Sequence, residues 1–574
     1  MRDLRKAVQS AKSKVAIFGI KLFLLKVVEI AISEILVRIP VRLRKTSVPL
    51  KRDRLKVNIL SDIIDESQRL YSDSFSLVSN WLDYRYLVFG QWLNFKSDSL
   101  INSDIESLNN TLTSEQIRNL KFVFGDCFQL SWDVDVINDY KFSNKSIPYN
   151  IAEVKVPWDF GRFLYFPQMA MYSDELDRVG YIFQRDVISF YIKNGKSSSI
   201  QWANAMEAGI RLHNLCLTYM ILQARGFIFE DGFETLFYSG VKMHRKFIFL
   251  NNEFSFAQTS NHFACNILGV VASFYFYPSK FQSWLMRKLF NFEVQRNTHE
   301  GLLNEGSTAY HRFTSEIYLS TFFLLSGLSG DNKSDEYGNV KATLTKMFNL
   351  VEQIENPLGL HTQSGDADGG FLNWITVPFS NKLQCFTPYD VRSYRSFIEV
   401  LGKSVNLSIN DVSSNGLNEL SDRQIIVFRD SKLFVMINNI RVCSGVFNKT
   451  HFHDDHGFVE VFYEDKCLSI DPGMPCYTSD IASRTFFQGA SAHYAFQLAN
   501  KADNPFADID RAINLITYEE DDYVLTIEVA NEKDEVLFQL HYDKPKQEIV
   551  KFFKKSNNSK IIFVNYLSKP ISLS

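Results

Sequence analysis

The spacing of apolar residues changes partway along this 574-residue chain, and that change constrains the fold more than any other feature. From about residue 60 to 400 the apolar positions recur at helical spacing. After Ser199, Trp202, Met206 and Ile210 step by four, Leu215, Tyr219 and Leu222 continue the stripe, and Gly226 stands where a helix would end. Similar stretches occur at 164–194, 262–277, 281–296, 308–327 and 340–355. Amphipathic helices in such a series predict an α/α array. After Asn406 the period falls to two. The runs 425–428 and 433–437 flank a turn at 429–432, and 457–463 and 467–470 flank one at 464–466. Further strands are expected at 493–499, 512–518, 523–529, 535–542, 548–554 and 560–566, which reads as an antiparallel β-sandwich. The fold class is therefore α+β and multidomain. The divisions are an N-terminal extension at 1–59, a helical domain at 60–400 and a strand domain at 401–574. No low-complexity linker separates the last two, so they are expected to share an interface, where ligand clefts tend to form.

Charge narrows the partners. Lys plus Arg number 62 against 65 Asp plus Glu, a net −3, so no overall field gathers nucleic acid, and an anionic partner must be caught locally. The seven cysteines, Cys127, Cys216, Cys265, Cys385, Cys443, Cys467 and Cys476, form no CxxC pair, and an odd number cannot all pair internally. A reducing compartment is the simpler reading. Val15 to Ile39 is strongly apolar but interrupted by Lys21, Lys26, Glu29, Glu34 and Arg38. It is too broken for a membrane span, and no small-residue cleavage site follows. An amphipathic helix packed on the protein's own body is expected there, with a membrane-surface helix as the alternative. The corresponding location is cytoplasmic, with peripheral membrane contact through residues 15–39 under that alternative.

Three groups of residues carry chemistry. His451-Phe452-His453-Asp454-Asp455 enters an expected strand, where alternation would put His451, His453 and Asp455 on one face. Asp471-Pro472-Gly473 ends the following strand, and His493 comes about twenty residues later; His453, Asp471 and His493 together suit a zinc-like ion. In the helical half, Asn261-His262 opens one helix and Tyr310-His311 lies in another. Each has an ordinary alternative: histidines at a strand mouth are often surface residues, Asp-Pro-Gly is a good turn, and a Tyr-His pair on a helix is commonly core plus rim.

Taken in order, these stretches resemble the heparinase II/III-like polysaccharide lyases. The match runs through Val156-Pro157-Trp158 to Arg162, then Trp202, Asn204, Met206-Glu207 and Arg211, then Asn251-Asn252-Glu253 and Asn261-His262. It continues through Glu305 to Tyr310-His311, Gly365-Asp366-Ala367-Asp368, His451-x-His453-x-Asp455, Asp471-Pro472-Gly473 and Arg484 to His493. The resemblance implies an incomplete α/α toroid followed by the sandwich, and an enzyme that cuts an anionic, uronate-containing polysaccharide by β-elimination. It implies that Asn261 and His262 neutralise the uronate carboxylate, and that Tyr310 and His451 move protons at C5 and O4. Trp158, Arg162, Glu207, Arg211 and Glu305 would line the substrate site. His453, Asp471 and His493 would hold a structural divalent metal, zinc by its ligand type.

A tyrosine that acts as a base needs cationic or hydrogen-bonding neighbours, and His262 and His451 are the expected ones. The chain departs from the family pattern at Ser260, where an asparagine is usual, at His456-Gly457-Phe458-Val459 in place of Leu-Ser-Phe, and at Cys265, where one branch carries glutamate. A uronyl C5-epimerase and a weakly catalytic glycan-binding protein of polysaccharide assembly are the rival readings.

Overall fold

A computed structural model describes residues 54–70, 85–88, 91–255, 260–326, 338–368, 370–375, 391–407, 415–440, 451–464, 466–490, 492–493, 514–531 and 533–554. The apolar segment 15–39, residues 494–499 of the strand expected at 493–499, the expected strand at 560–566, Cys385 and Cys443 lie outside these residues. Among the described residues no helix is long and apolar enough to cross a membrane.

The helical half contains α1 (Arg54–Leu70), α2 (Ser114–Phe124), α3 (Lys155–Gly161), α4 (Tyr165–Tyr172), α5 (Leu176–Asn194), α6 (Ala205–Ala224), α7 (Asp231–Leu250), α8 (Asn261–Ala272), α9 (Lys280–Asn297), α10 (Thr308–Ser326), α11 (Gly338–Gln353) and α12 (Val391–Phe397). Short two-stranded ribbons punctuate them. The apolar stripe read from Trp202 onward is divided: Trp202 sits in a single 3₁₀ turn, and α6 starts after Asn204, whose side chain accepts from the Glu207 N–H. An asparagine cap satisfies an otherwise orphaned amide, so the helix begins there and not at the first apolar residue.

Helices α6 and α8 meet backbone to backbone. A Cβ on Gly209 would lie 2.2 Å from the Cys265 carbonyl oxygen, and one on Gly269 2.7 Å from the Gly209 Cα. Because α8 opens with Asn261 and His262, this crossing sets where those side chains stand. Gly209→Ala is expected to force the helices apart at a cost of about 1–3 kcal/mol, visible as a lower urea midpoint at unchanged m-value.

The strand half holds two antiparallel meanders. The first runs β5-β4-β3-β2-β1, from β1 (Gly416–Leu420), β2 (Ile425–Arg429), β3 (Leu433–Asn438), β4 (Val459–Tyr463) and β5 (Lys466–Ser469). The second is β6 (Leu515–Glu520), β7 (Val524–Ala530), β8 (Val536–Asp543) and β9 (Glu548–Lys554), in that order. Alternation decides the layering. Ile426, Phe428, Val435, Ile437, Val459 and Val461 share a core with Leu525, Ile527, Val529, Leu540 and Tyr542 of the second sheet. On the opposite face, Ile425, Val427, Phe434, Met436 and Phe462 pack with Leu302, Leu350 and Ile354 of the helical half. The first sheet is therefore buried on both faces and clamps the second sheet to the helices; each large side chain so buried contributes about 1.5–3 kcal/mol.

The strand expected at 457–463 starts two residues late, and the segment leading into it is irregular. Residues 451–458 form a loop, and β4 begins only at Val459. Gly457 has a positive φ of 80°, and the loop's backbone groups bond outside any ladder, Asp454 N–H to the Gln488 carbonyl and Asp366 N–H to the His451 carbonyl.

Candidate active site

Three stretches of irregular chain are pressed together at the junction of the halves. Ser307 caps α10, its Oγ accepting from the Tyr310 N–H at 3.1 Å and donating to the Asp366 carbonyl at 2.6 Å. Gly365 has φ +69°, and a Cβ there would lie 2.4 Å from the Gly306 oxygen and 2.5 Å from the His451 oxygen. Only glycine satisfies both the left-handed backbone and that approach. Segments 305–310, 364–368 and 451–455 are thus brought into one layer. Ser260, where an asparagine was the usual residue, caps α8 by accepting from the His262 N–H at 3.0 Å.

Two of the side chains expected to act together, Asn261 and His451, meet at Glu305. Asn261 donates to Glu305 Oε2 at 2.7 Å, and His451 Nε2 lies 3.8 Å from the same oxygen. The Tyr310 ring stacks on the His451 imidazole with centroids 3.6 Å apart. His262, next to Asn261, is held by Glu253 Oε1 at 2.8 Å from Nδ1, and its side chain is 39% exposed while Asn261, Tyr310 and Glu305 are buried. Burial disfavours the His262 cation, but Glu253 and then Glu305 outweigh it and raise its pKa above the ordinary imidazole value. Burial raises Glu305, against the pull of His451 and Asn261.

Tyr310 departs from expectation in its neighbours. Its hydroxyl donates to Asp368 Oδ1 at 2.9 Å, and burial together with Asp368 and Asp366 raises the phenol well above its usual value. The groups expected to make it a phenolate are not what its oxygen touches. His451 stacks on the ring and gives its Nδ1 to Asp366 Oδ2 at 3.0 Å, while His262 pairs with Glu253.

Asp366 is the hub. It also receives His453 Nε2 at 2.9 Å and Gln488 Nε2 at 2.9 Å, with Arg484 at 3.7 Å. Burial opposes its charge, yet the two histidine hydrogen bonds hold it well below the usual carboxylate range. Asp368 is paired by Lys155, whose Nζ is 3.3 Å from Oδ2 and 3.4 Å from the main-chain oxygen. The ring of Tyr477 lies against both cations, 4.6 Å from Lys155 Nζ and 4.3 Å from the Arg484 guanidinium. Asp366 and Asp368 fell within a motif noted in the sequence but had been given no role; Lys155 and Tyr477 carried no local signal at all.

The expected lining residues sit deeper. Arg211 is wholly buried and spends its donors on Gln201, the Gly161 carbonyl and His244, and burial lowers it to about 10; its place is in the helical core, not facing a ligand. Trp158 is likewise buried in a small cluster with Phe142, Val154 and Ile200, its indole N–H on the Ile200 carbonyl at 2.9 Å. Arg162 and Glu207 form a bidentate pair, both bonds 2.7 Å, beneath the site. Glu305 alone of this group touches the Asn261–His451 cluster.

For a metal, ligand-capable atoms of His453, Asp455 and His493 lie within 4.8 Å of one another, all buried. Asp471 Oδ2 is 3.2 Å from His493 Nε2, and neither of these buried atoms makes a hydrogen bond. Burial disfavours the His493 cation, but Asp471 and Asp455 raise its pKa to about 9. Two imidazoles, two carboxylates and a pair of orphaned buried atoms fit a zinc-type ion. A second group, Asp366, Asp368 and His451, is equally close but already has Lys155 and Arg484 as its cations.

No family model and no curated protein sequence matches the chain. Among solved structures it is similar to heparinases. Heparan sulfate lyase HepC from Pedobacter heparinus is 13% identical, with 85% of this chain and 71% of that one covered and a TM-score of 0.43. A heparinase III crystal structure is 13% identical, with 85% and 75% covered and a TM-score of 0.48. A second heparinase III, with methylated lysines, is 14% identical over 84% and 74%, with a TM-score of 0.42.

Proposed function

We propose that this chain is a polysaccharide lyase that cleaves a uronate-containing glycan by β-elimination. The observation that carries the reading is the convergence of Asn261 from the helices and His451 from the strand half on the buried Glu305, with Tyr310 stacked on His451 and His262 next to Asn261. Elimination requires loss of a weakly acidic proton at C5 beside a charged carboxylate, so the carboxylate must be neutralised as charge builds on it. Asn261 has a second amide N–H beyond the one given to Glu305, and His262 favours its cationic form; both are donors of the kind that carboxylate needs. Tyr310 and His451, stacked face to face, supply proton transfer at C5 and O4. The proposal extends to architecture: the helices of 60–400 as an incomplete α/α toroid and residues 401–574 as a β-sandwich, with 1–59 as an extension.

The test is incubation of the purified chain with a panel of uronate polysaccharides, following ultraviolet absorbance of the unsaturated product. Its appearance supports the lyase. Exchange of the C5 proton with deuterated solvent without unsaturation would mark an epimerase, and binding without either would mark a glycan-binding protein.

His453, Asp471 and His493, with Asp455 beside them, are proposed to hold zinc, which when bound supplies a structural cross-link for the segment that presents His451. Chelation is expected to lower the melting temperature before it alters turnover at saturating substrate. Protein purified without chelators and found by elemental analysis to hold no divalent metal would contradict this.

A further inference from the structure

Tyr310 presents a chemical difficulty if it is to take a proton from carbon. Its hydroxyl is occupied as a donor, and burial together with Asp368, Asp366 and Tyr477 outweighs the nearby Arg484 charge in keeping the phenol protonated. The same geometry offers a route that needs no phenolate. A phenol donating to a carboxylate keeps its lone pairs free, and its oxygen becomes more basic as its own proton moves toward the acceptor.

Asp368 is built for that task. It is fully buried, in a segment without regular structure, and its two oxygens do different things: Oδ1 accepts from Tyr310, and Oδ2 faces Lys155 Nζ at 3.3 Å. Lys155 is only 6% exposed and comes from the start of α3, 213 residues away in sequence. A buried carboxylate needs a counter-charge, and Lys155 supplies it on the oxygen that Tyr310 does not use. Arg484, also over the Tyr477 ring, adds a second positive charge nearby.

We propose that Asp368, paired with Lys155, is the proton acceptor behind Tyr310. This rests on the lyase reading. The C5–H bond breaks as the Tyr310 oxygen takes that proton, and the phenol's original proton passes to Asp368 Oδ1. The C–H electron pair becomes the C4=C5 double bond while the C4–O4 bond breaks. O4 leaves with a proton delivered from His451, which is anchored through Nδ1 to Asp366. Asp368 afterwards returns its proton through Tyr310 to water and His451 takes one back from water, so the protons balance and no oxidant or further reactant is consumed. Asp368 and Lys155 are positioning residues in this scheme; the group that touches the substrate is Tyr310.

Asp368→Asn preserves shape and an acceptor for the phenolic hydrogen bond but cannot accept the proton. With a uronate polymer that the wild type cleaves, it is expected to lower kcat by roughly 10² to 10⁴ with KM little changed. Its residual rate should rise about tenfold per pH unit on the alkaline side, because only rare phenolate then remains as base, where the wild type shows no such rise. Asp368→Glu should recover part of the rate and the wild-type profile. A wild-type kcat or a wild-type pH profile in Asp368→Asn overturns the relay while leaving the lyase standing. Should that variant not fold, an Asp368→Glu protein with the steep alkaline rise overturns it equally. A wild type that yields no unsaturated product from any polymer overturns the lyase reading, and the relay with it.

Discussion

Tyr310→Phe is expected to lower elimination by roughly 10² to 10⁴ in kcat, the usual loss when a proton-transfer group is removed, while glycan binding stays close to wild type. The substitution removes one oxygen and keeps the ring, so the 3.6 Å stack on His451 survives and the imidazole keeps its place against Asp366. What disappears is the 2.9 Å bond to Asp368, leaving Oδ1 buried without a donor. That costs stability by about 1–3 kcal/mol at most, because Lys155 still balances the charge. The result is a protein that melts a few degrees lower, binds substrate and does not turn it over. Initial rates of unsaturated product, a binding isotherm and a melting curve separate these effects. A Tyr310→Phe protein that forms unsaturated uronate at the wild-type rate would remove Tyr310 from the chemistry.

The layering of the fold was legible because it rests on local periodicity. The strand expected at 548–554 is β9 residue for residue, and α10 covers 308–326 of the stretch expected at 308–327. The meeting of Asn261, Tyr310 and His451 was legible only through the resemblance, since no spacing links them. The failures have one physical cause, which is that the deciding partner is far away in sequence. Nothing local marks Lys155, a lysine before an apolar run, as the counter-ion of Asp368, and nothing in the turn of α6 that carries Glu207 and Arg211 says that one meets Arg162 and the other Gln201. At the entry of an expected strand, alternation would have put His451, His453 and Asp455 on one face. The positive φ of Gly457 and the backbone bonds to segments 366 and 488 override that pattern, and the loop brings His453 and Asp455 to one side by another route.

The Arg162–Glu207 pair shows what such distant partners contribute. Both side chains are about 1% exposed, and the guanidinium grips the carboxylate through two 2.7 Å bonds, with Asp159 at 3.6 Å as its remaining counter-charge. Glu207→Ala leaves a buried cation with a single, more distant partner, and breaking a buried pair in this way typically costs about 3–5 kcal/mol. Replacing both, as Arg162→Met with Glu207→Leu, removes the uncompensated charge together with the bonds and is expected to cost less than Glu207→Ala alone. Equilibrium urea unfolding of the two single variants and the double variant gives the comparison; a double variant as unstable as the sum of the singles would mean that the two do not act as a pair. The pair also has a pH signature. Burial pushes Glu207 up, but Arg162 outweighs it and leaves the carboxyl below its ordinary value. A group whose folded pKa is depressed contributes stability above its unfolded value, near 4.3, and that contribution fades as pH falls through the lower folded value. Wild type should therefore lose its advantage over the double variant as the pH falls through the unfolded value toward the lower folded one, while the gap stays constant from about one pH unit above the unfolded value to neutrality.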